Sequence, residues 1–340
     1  MPPMPRSTLA LALAFLALSA GGAPLAAQES ARGPSAWEAA DARALSAPSS
    51  LRYDPAALAA YLTQGAAGDT ERARAIFRWL AENIAYDYAA RDNQEPVRPE
   101  EVLVRGRAVC EGYAGAFELL GRLAGLEVVS IHGYAKGHDW GDGAHFERTN
   151  HAWNAVRIAG AWRLIDATWG AGYVRDGQFV KQLEDYFFMP APEALAFTHL
   201  PEDPGWALVP RPLSLRAFEA QPVVRAAFFR AGFSASDAAA ALREPGAAAL
   251  VEVFMDPDLA ITVTAAPAQR TLAAGQRYQF RLSAPPGTRV ALVNGGRWSY
   301  LPDRGGVFAG SMLLRRGALF LVAGSGPRAP MRTVLRYEAR

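Results

Sequence analysis

Three residues with the chemistry of an acyl-transfer site follow one another along the chain: a thiol, an imidazole and a carboxylate. Cys110 is the only cysteine in 340 residues, and His151 and Asp166 follow it in that order. A histidine can accept the proton of a thiol, and a carboxylate can fix the tautomer of the imidazole and stabilise the imidazolium. The three residues therefore indicate nucleophilic catalysis on an acyl group.

The thiol is expected at the beginning of a helix. From Cys110 onwards, Tyr113, Phe117 and Leu120 recur at three- and four-residue steps, and Gly125 is a typical C-terminal stop. Free amides and the dipole at a helix N-terminus stabilise an anion, which favours a thiolate. The same amides can donate to the oxyanion that forms when a thiolate attacks a carbonyl.

The base and the acid are expected on one hairpin. Residues 150–158 and 161–168 have the pattern of strands, and Ala159-Gly160 is a turn signal. A two-residue turn pairs residues whose numbers sum to 319, so that His151 and Asp166 become diagonal neighbours on one face, about 7–8 Å apart along the backbone. A three-residue turn would instead place Asp166 on the opposite face.

Two further elements complete the expected scaffold. Residues 69–83 predict an amphipathic helix, with apolar side chains at three- and four-residue steps. Residues 127–134 predict a strand, and a polar, glycine-rich loop follows over residues 136–149. Lys136 and Trp140 lie in this loop, which could gate the site.

Metal binding is the main chemical alternative within this segment. His138, Asp142, His145 and His151 could be read as a ligand cluster. Their spacings match no compact zinc pattern, and no cysteine ligand accompanies them. A calcium loop with regularly spaced acidic residues is not recognisable either. We therefore predict no metal and no cofactor.

The remaining aromatic and histidine residues favour structural roles. Trp153, Trp162 and Trp169 could line a substrate groove, but aromatic residues that alternate along strands are more often part of the core. His199 is expected in a proline-bounded loop, where a structural hydrogen bond is the simpler interpretation.

Several segments resemble one known family. Residues 106–113 (GRAVCEGY), 150–156 (NHAWNAV) and 162–170 (WRLIDATWG) resemble the core motifs of the transglutaminase-like superfamily, which has a papain-type fold. Residues 79–88 (WLAENIAYDY) resemble the helix and turn that precede the nucleophile motif in this superfamily. Residues 186–188 and 199–206 (HLPEDPGW) look like the subset related to the kyphoscoliosis peptidase.

The resemblance covers about residues 69–222 and implies an α+β, papain-like catalytic domain. It assigns the nucleophile to Cys110, the base to His151 and the orienting acid to Asp166. Some members of this group have lost the cysteine, whereas this chain keeps all three residues. The resemblance does not identify the second oxyanion donor.

The first residues have the features of an export signal. Arg6 supplies a positive charge, an apolar run covers residues 9–20, and small residues allow cleavage after Ala27. The apolar run is shorter than the roughly 20 residues that span a bilayer, although an uncleaved anchor is the alternative. A secreted or periplasmic location makes a single unpaired cysteine notable, because exported proteins use cysteines mainly in pairs.

The rest of the chain suggests further units. We predict a signal peptide over residues 1–27, a flexible lead-in over 28–50, the catalytic domain over 51–222, a helical linker over 223–248, and an immunoglobulin-like β-sandwich over 249–340. The composition is 51% hydrophobic and permits more than one core, and the net charge of +2 gives no reason to expect nucleic acid as a partner.

Two functional hypotheses follow. The first is an exported thiol enzyme that cleaves or transfers peptide or side-chain amide acyl groups, with a peptidase favoured over a transamidase and cell-envelope proteins or peptides as possible substrates. The second is a non-catalytic extracytoplasmic module that binds a protein through the same fold. An intact set of Cys110, His151 and Asp166 favours the enzyme. The oligomeric state stays open.

Overall fold

The computed structural model describes residues 37–91, 97–137, 140–141, 143–243, 250–254 and 259–340. The predicted signal peptide and the beginning of the lead-in lie outside the described residues, as do His138 and Asp142. In the described part of the chain, no helix combines the length and apolar character needed to cross a membrane.

Helices and strands are mixed, as the sequence predicts. The α-helices of the described residues are α1 (Glu38–Leu45), α2 (Pro55–Thr63), α3 (Asp69–Asn83), α4 (Pro99–Arg105), α5 (Cys110–Leu123), α6 (Ala167–Ala171), α7 (Pro192–Leu195), α8 (Leu215–Ala220), α9 (Ala226–Arg230) and α10 (Ala235–Arg243). The predicted helix over residues 69–83 and the helix that starts at Cys110 are confirmed.

The strands of the N-terminal half are β1 (Ala85–Tyr86), β2 (Arg107–Ala108), β3 (Val128–Ala135), β4 (His151–Ile158), β5 (Ala161–Ile165), β6 (Gly172–Arg175), β7 (Gln178–Lys181) and β8 (His199–Pro201). Four of them form an antiparallel sheet in the order β5-β4-β3-β8. This sheet carries the candidate base and packs against α5, which carries the candidate nucleophile.

Helix α5 is held on the sheet by both apolar and polar contacts. Its apolar stripe includes Tyr113, Phe117 and Leu120, all fully buried, and each such side chain contributes about 1.5–3 kcal/mol by leaving water. The Asn154 amide of β4 donates to the carbonyl of Ala114 at 3.0 Å. The beginning of α5 is therefore fixed relative to the beginning of β4.

Residues 37–50, the described part of the predicted lead-in, contain helical structure. They form α1 and a 3-10 helix over Ser49–Tyr53. The buried Arg74 guanidinium of α3 holds this segment, because it makes two hydrogen bonds to the Asp41 carboxylate, at 2.6 and 2.7 Å. A third hydrogen bond, at 2.7 Å, joins it to Asp185. The composition of the segment predicts disorder, because composition does not reveal that Asp41 binds the distant Arg74 guanidinium.

The C-terminal half is built from β9 (Glu252–Val253), β10 (Thr262–Ala265), β11 (Thr271–Leu272), β12 (Arg277–Ser283), β13 (Arg289–Asn294), β14 (Arg297–Leu301), β15 (Val307–Leu313), β16 (Gly317–Gly324) and β17 (Arg332–Ala339). One sheet has the order β10-β12-β15. The other has the order β11-β17-β16-β13-β14, with β9 also paired to β17. Both sheets contribute to one hydrophobic core.

The segment predicted as a helical linker is integrated into this core. Phe228 of α9 and Ala238 of α10 are buried in the same cluster as side chains of both C-terminal sheets. Phe197, from the N-terminal half, also belongs to the cluster. The two halves of the described chain are therefore joined by a packed hydrophobic interface.

Candidate active site

Cys110 is the first residue of α5, and its side chain is partly exposed. Within the described residues, no side chain caps this helix end: Val109 occupies the N-cap position with extended backbone. Four amides at a helix N-terminus lack a partner in the helix, so an uncapped end presents hydrogen-bond donors beside the thiol. This position suits a thiolate and an oxyanion next to it.

The predicted hairpin register is confirmed between β4 and β5. Ile158 pairs with Ala161 and Asn154 pairs with Ile165, so the turn has two residues, Ala159 and Gly160. Strand β5 ends one residue before Asp166, which corrects the prediction that the strand continues to Thr168.

The strand ends early because Asp166 caps the helix that follows. Its Oδ1 atom accepts hydrogen bonds from the backbone amides of Thr168 at 2.9 Å and Trp169 at 3.0 Å. Its own amide donates to the carbonyl of Phe187 at 3.0 Å. These contacts fix the carboxylate and direct its second oxygen toward the sheet.

The second oxygen contacts the candidate base. The His151 Nε2 atom lies 2.8 Å from Asp166 Oδ2, and both side chains are almost completely buried. Since Nε2 is engaged by the carboxylate, Nδ1 is the nitrogen left to face the Cys110 thiol, which contributes to the raised pKa of His151. The imidazole thus stands between the thiol and the carboxylate.

Charge at this cluster is strongly coupled. Burial opposes a positive charge on His151, but the charge and hydrogen bond of Asp166 and the contact with Cys110 outweigh it and raise the pKa of His151 to about 10. Burial likewise opposes a negative charge on Asp166, yet His151 and His199 hold the pKa of this carboxyl well below its ordinary value. The geometry favours an imidazolium beside a carboxylate.

A third buried side chain completes the cluster. His199 lies on β8 rather than in a loop, which corrects the prediction from the proline pattern. It pairs with Ala135 at the edge of the sheet, and its Nε2 atom lies 3.1 Å from Asp166 Oδ2. The expected structural hydrogen bond is present, and its partner is the candidate catalytic carboxylate. No local pattern could identify this contact, because it joins residues 33 positions apart, at the end of β5 and on β8, with β4 and β3 between them in the sheet.

His151, Asp166 and His199 are also the types of ligand that zinc accepts, and their donor atoms lie within 4.8 Å of one another. Metal–ligand bonds of about 2.0–2.1 Å in a tetrahedral site would separate the ligand atoms by about 3.3 Å. The observed separations of 2.8 and 3.1 Å are shorter and fit direct hydrogen bonds. We interpret the cluster as a hydrogen-bonded network. His145 is exposed and is not part of it.

The tryptophans fall mainly in the core. Trp153 is fully buried beneath the sheet, in a cluster with Ile131, Leu164 and Phe187, while Trp162 and Trp169 pack against this cluster and are partly buried. The Trp169 ring lies 4.6 Å from the His199 ring and 5.4 Å from the His151 ring. Aromatic side chains therefore pack against both imidazoles.

Sequence comparison connects this arrangement to known proteins. Residues 56–167 match the model of the transglutaminase-like superfamily. Kyphoscoliosis peptidase of Homo sapiens is 36% identical over 176 residues, which are 50% of this chain and 27% of the relative. Hillarin of Drosophila melanogaster is 31% identical over 208 residues, 56% of this chain and 25% of the relative. The chain thus spans about a quarter of the length of these relatives.

Solved structures show only distant likeness. Red sea bream transglutaminase is 9% identical, with a TM-score of 0.29 over 89% of this chain and 58% of its own. A structure described as a TGase is 16% identical, with a TM-score of 0.27 over 46% of this chain and 38% of its own. Scores this low carry no argument.

The family match over residues 56–167 includes Cys110, His151 and Asp166. Residues 56–167 therefore form a transglutaminase-like domain, and about half of the chain is similar to kyphoscoliosis peptidase.

Proposed function

We propose that the protein is a thiol enzyme that attacks peptide or side-chain amide carbonyls through Cys110. The observation that carries the proposal is the position of His151, between a thiol at an uncapped helix N-terminus and a buried carboxylate 2.8 Å from its Nε2 atom. In this role His151 is the general base and Asp166 the orienting acid.

The reaction has two stages. The Cys110 sulfur adds to the carbonyl carbon, and the Cys110 amide at the start of α5 donates to the oxyanion. The imidazolium of His151 then gives its proton to the leaving nitrogen, the C–N bond breaks, and a thioester remains on Cys110. An acceptor loses a proton to His151, attacks the thioester and releases the thiol.

Water as acceptor gives hydrolysis, and an amine gives transamidation. We favour hydrolysis, and an exported protein or peptide of the cell envelope as substrate, because the beginning of the sequence has the pattern of a signal peptide. Secretion or a periplasmic location is part of this proposal. So is an immunoglobulin-like sandwich for the C-terminal unit, which the two sheets around one core support.

The competing function is a non-catalytic module that binds proteins outside the cytoplasm. Such a module has no need for an ion pair next to a partly exposed thiol, and here His151, Asp166 and Cys110 interact directly. The enzyme is therefore the better supported function.

An activated acyl donor such as a p-nitrophenyl ester tests the proposal without knowledge of the natural substrate. Intact-mass measurement should detect one acyl group on the native protein and none on Cys110→Ala. Addition of a primary amine then separates the two outcomes, since transamidation yields an amide and hydrolysis an acid. A native protein that gains no acyl group, or gains one equally on Cys110→Ala, would contradict the proposal.

A further inference from the structure

The candidate acid has two imidazole partners, and the proposed chemistry uses only one of them. Oδ2 of Asp166 accepts from His151 Nε2 at 2.8 Å and from His199 Nε2 at 3.1 Å. Oδ1 accepts from the amides of Thr168 and Trp169. The carboxylate therefore receives four N–H groups, which is a full set for its lone pairs.

The proton of His199 can be located from its neighbours. Its Nδ1 atom lies 2.9 Å from the Thr198 hydroxyl oxygen, and its Nε2 atom faces a carboxylate that has no proton to donate. A neutral ring then carries its proton on Nε2 and accepts the Thr198 hydroxyl proton on Nδ1. Burial and the neighbouring His151 cation lower the pKa of His199, even though Asp166 opposes this, so the ring stays neutral while His151 is charged.

We propose that His199 is a positioning residue for the proposed reaction: its neutral Nε2–H group holds the Asp166 carboxylate ionised and aimed at His151. The inference rests on the proposed function. His199 touches neither the thiol nor the substrate in this account, and it acts through Asp166.

The surroundings make the second donor necessary. Asp166 and His199 are both buried, and aromatic rings of Trp153 and Trp169 pack against His199 at 5.1 and 4.6 Å. Water cannot replace a lost donor easily in such a site, so an oxygen left with one partner favours the protonated carboxyl. The groups that act on Asp166 are His151 on β4, His199 on β8 and the Tyr113 phenol on α5.

The test compares His199→Leu, which removes the donor, with His199→Gln, whose amide nitrogen can reach the position of Nε2. The readout is the rate at which iodoacetamide alkylates Cys110 across pH, which needs no substrate. His199→Leu should slow alkylation near neutral pH by at least about tenfold and move the acid limb of the profile to higher pH, because Asp166 then takes up a proton more easily. His199→Gln should recover most of the rate and the native limb.

Thr198→Val is the variant to use if His199→Leu does not fold. It leaves the imidazole in place but removes the hydroxyl group that fixes the tautomer of His199. We expect a smaller loss of alkylation rate, in the same direction. Equal rates and profiles for native protein, His199→Leu and Thr198→Val would overturn the inference, as would a His199→Gln rate no better than that of His199→Leu. If native protein and His151→Asn are alkylated at the same rate, the proposed function itself fails, and this separates the two.

Discussion

At the scale of single residues, the candidate site holds a buried carboxylate that contacts two buried imidazoles. Asp166 is almost completely buried, yet its carboxyl group is ionised because two backbone amides and two imidazoles donate hydrogen bonds to it. The sequence predicts Cys110, His151 and Asp166 as the site residues from their types, from the helix start and from the hairpin register. It placed His199 in a loop, because the pairing of a three-residue edge strand depends on contacts that no local pattern encodes.

Asp166→Asn should nearly abolish acylation of Cys110. An amide cannot stabilise the imidazolium and favours the wrong tautomer, and loss of this kind of carboxylate costs up to about 10⁴-fold in rate. The release of p-nitrophenolate from an activated ester measures the effect, and Asp203→Asn, which alters an exposed turn, is the control. An Asp166→Asn rate within a factor of two of native would contradict the assigned role.

The pair of His151 and Asp166 should also make stability depend on pH. His151 has a raised pKa, so its contribution is complete below about pH 6.5 and is lost as pH rises toward about 10. Asp166 has a lowered pKa, so its contribution is present above about pH 4 and is lost in acid.

The excess stability of native protein over a His151→Asn, Asp166→Asn double variant should therefore be largest near pH 5–6 and decline on both sides. Urea unfolding at several pH values measures it. A difference that does not change between pH 5 and pH 10 would show that the pair is not ionised as described.

At the scale of elements, one glycine allows the strand that bears His199 to approach. A Cβ atom at Gly133 would lie 2.3 Å from the Leu200 carbonyl oxygen and 2.6 Å from the Trp153 ring. The carbonyl belongs to β8, which cannot move away without breaking its pairing with β3. The absence of a side chain at this position is thus required for the sheet edge.

Gly133→Ala should destabilise the protein by about 1–3 kcal/mol, the usual cost of overpacking, and should slow acylation because β8 is displaced. Thermal unfolding and the ester assay measure the two effects. Gly326→Ala is the matched control, since a Cβ atom there meets nothing within 4 Å. Normal stability and activity of Gly133→Ala would show that the sheet edge is more adaptable than its contacts indicate.

Element prediction from the sequence succeeded where the pattern was local. The helix over residues 69–83 and the hairpin around Ala159 and Gly160 follow from periodicity and turn chemistry. The turn between β13 and β14 is local in the same way: Gly295 and Gly296 have positive φ and pair Asn294 with Arg297.

At the scale of the whole molecule, the two halves meet close to the candidate site. Phe229 of α9 stacks on Tyr186 with ring centroids 5.5 Å apart, and Arg230 forms an ion pair with Glu184 at 2.6 Å. Phe187 follows Tyr186 in the chain, and its carbonyl accepts the hydrogen bond from the Asp166 amide. The C-terminal unit therefore supports the segment that fixes the carboxylate.

Phe229→Ala should destabilise the protein by up to about 3–5 kcal/mol, the cost of this substitution in a core, because Phe229 is partly buried against the hydrophobic cluster. The same substitution should lower the acylation rate of the folded fraction. Trp298→Ala removes an aromatic side chain that is 47% exposed on β14 and should change neither property measurably. Thermal unfolding and the ester assay compare the two. An unchanged acylation rate of folded Phe229→Ala would show that the contact between Phe229 and Tyr186 does not support the candidate site.

Arg74 of α3 attaches helix α1 through an ion pair with Asp41, and it forms a second ion pair with Asp185. Asp41 makes two hydrogen bonds to the buried guanidinium and is 24% exposed, whereas Asp185 makes one and is 62% exposed. Asp41→Asn should therefore cost about 1–3 kcal/mol, and Asp185→Asn less than about 1 kcal/mol. Urea unfolding gives both values, and the reverse order would contradict the described packing of α1.

The activation of Cys110 by His151 can be measured as the rate at which iodoacetamide alkylates this single thiol at about pH 6.5, where an ordinary thiol is almost fully protonated. Native protein should react at least about tenfold faster than His151→Asn, with the urea-unfolded chain as the reference for an unassisted thiol. Equal rates for native protein, His151→Asn and the unfolded chain would show that His151 does not activate the thiol.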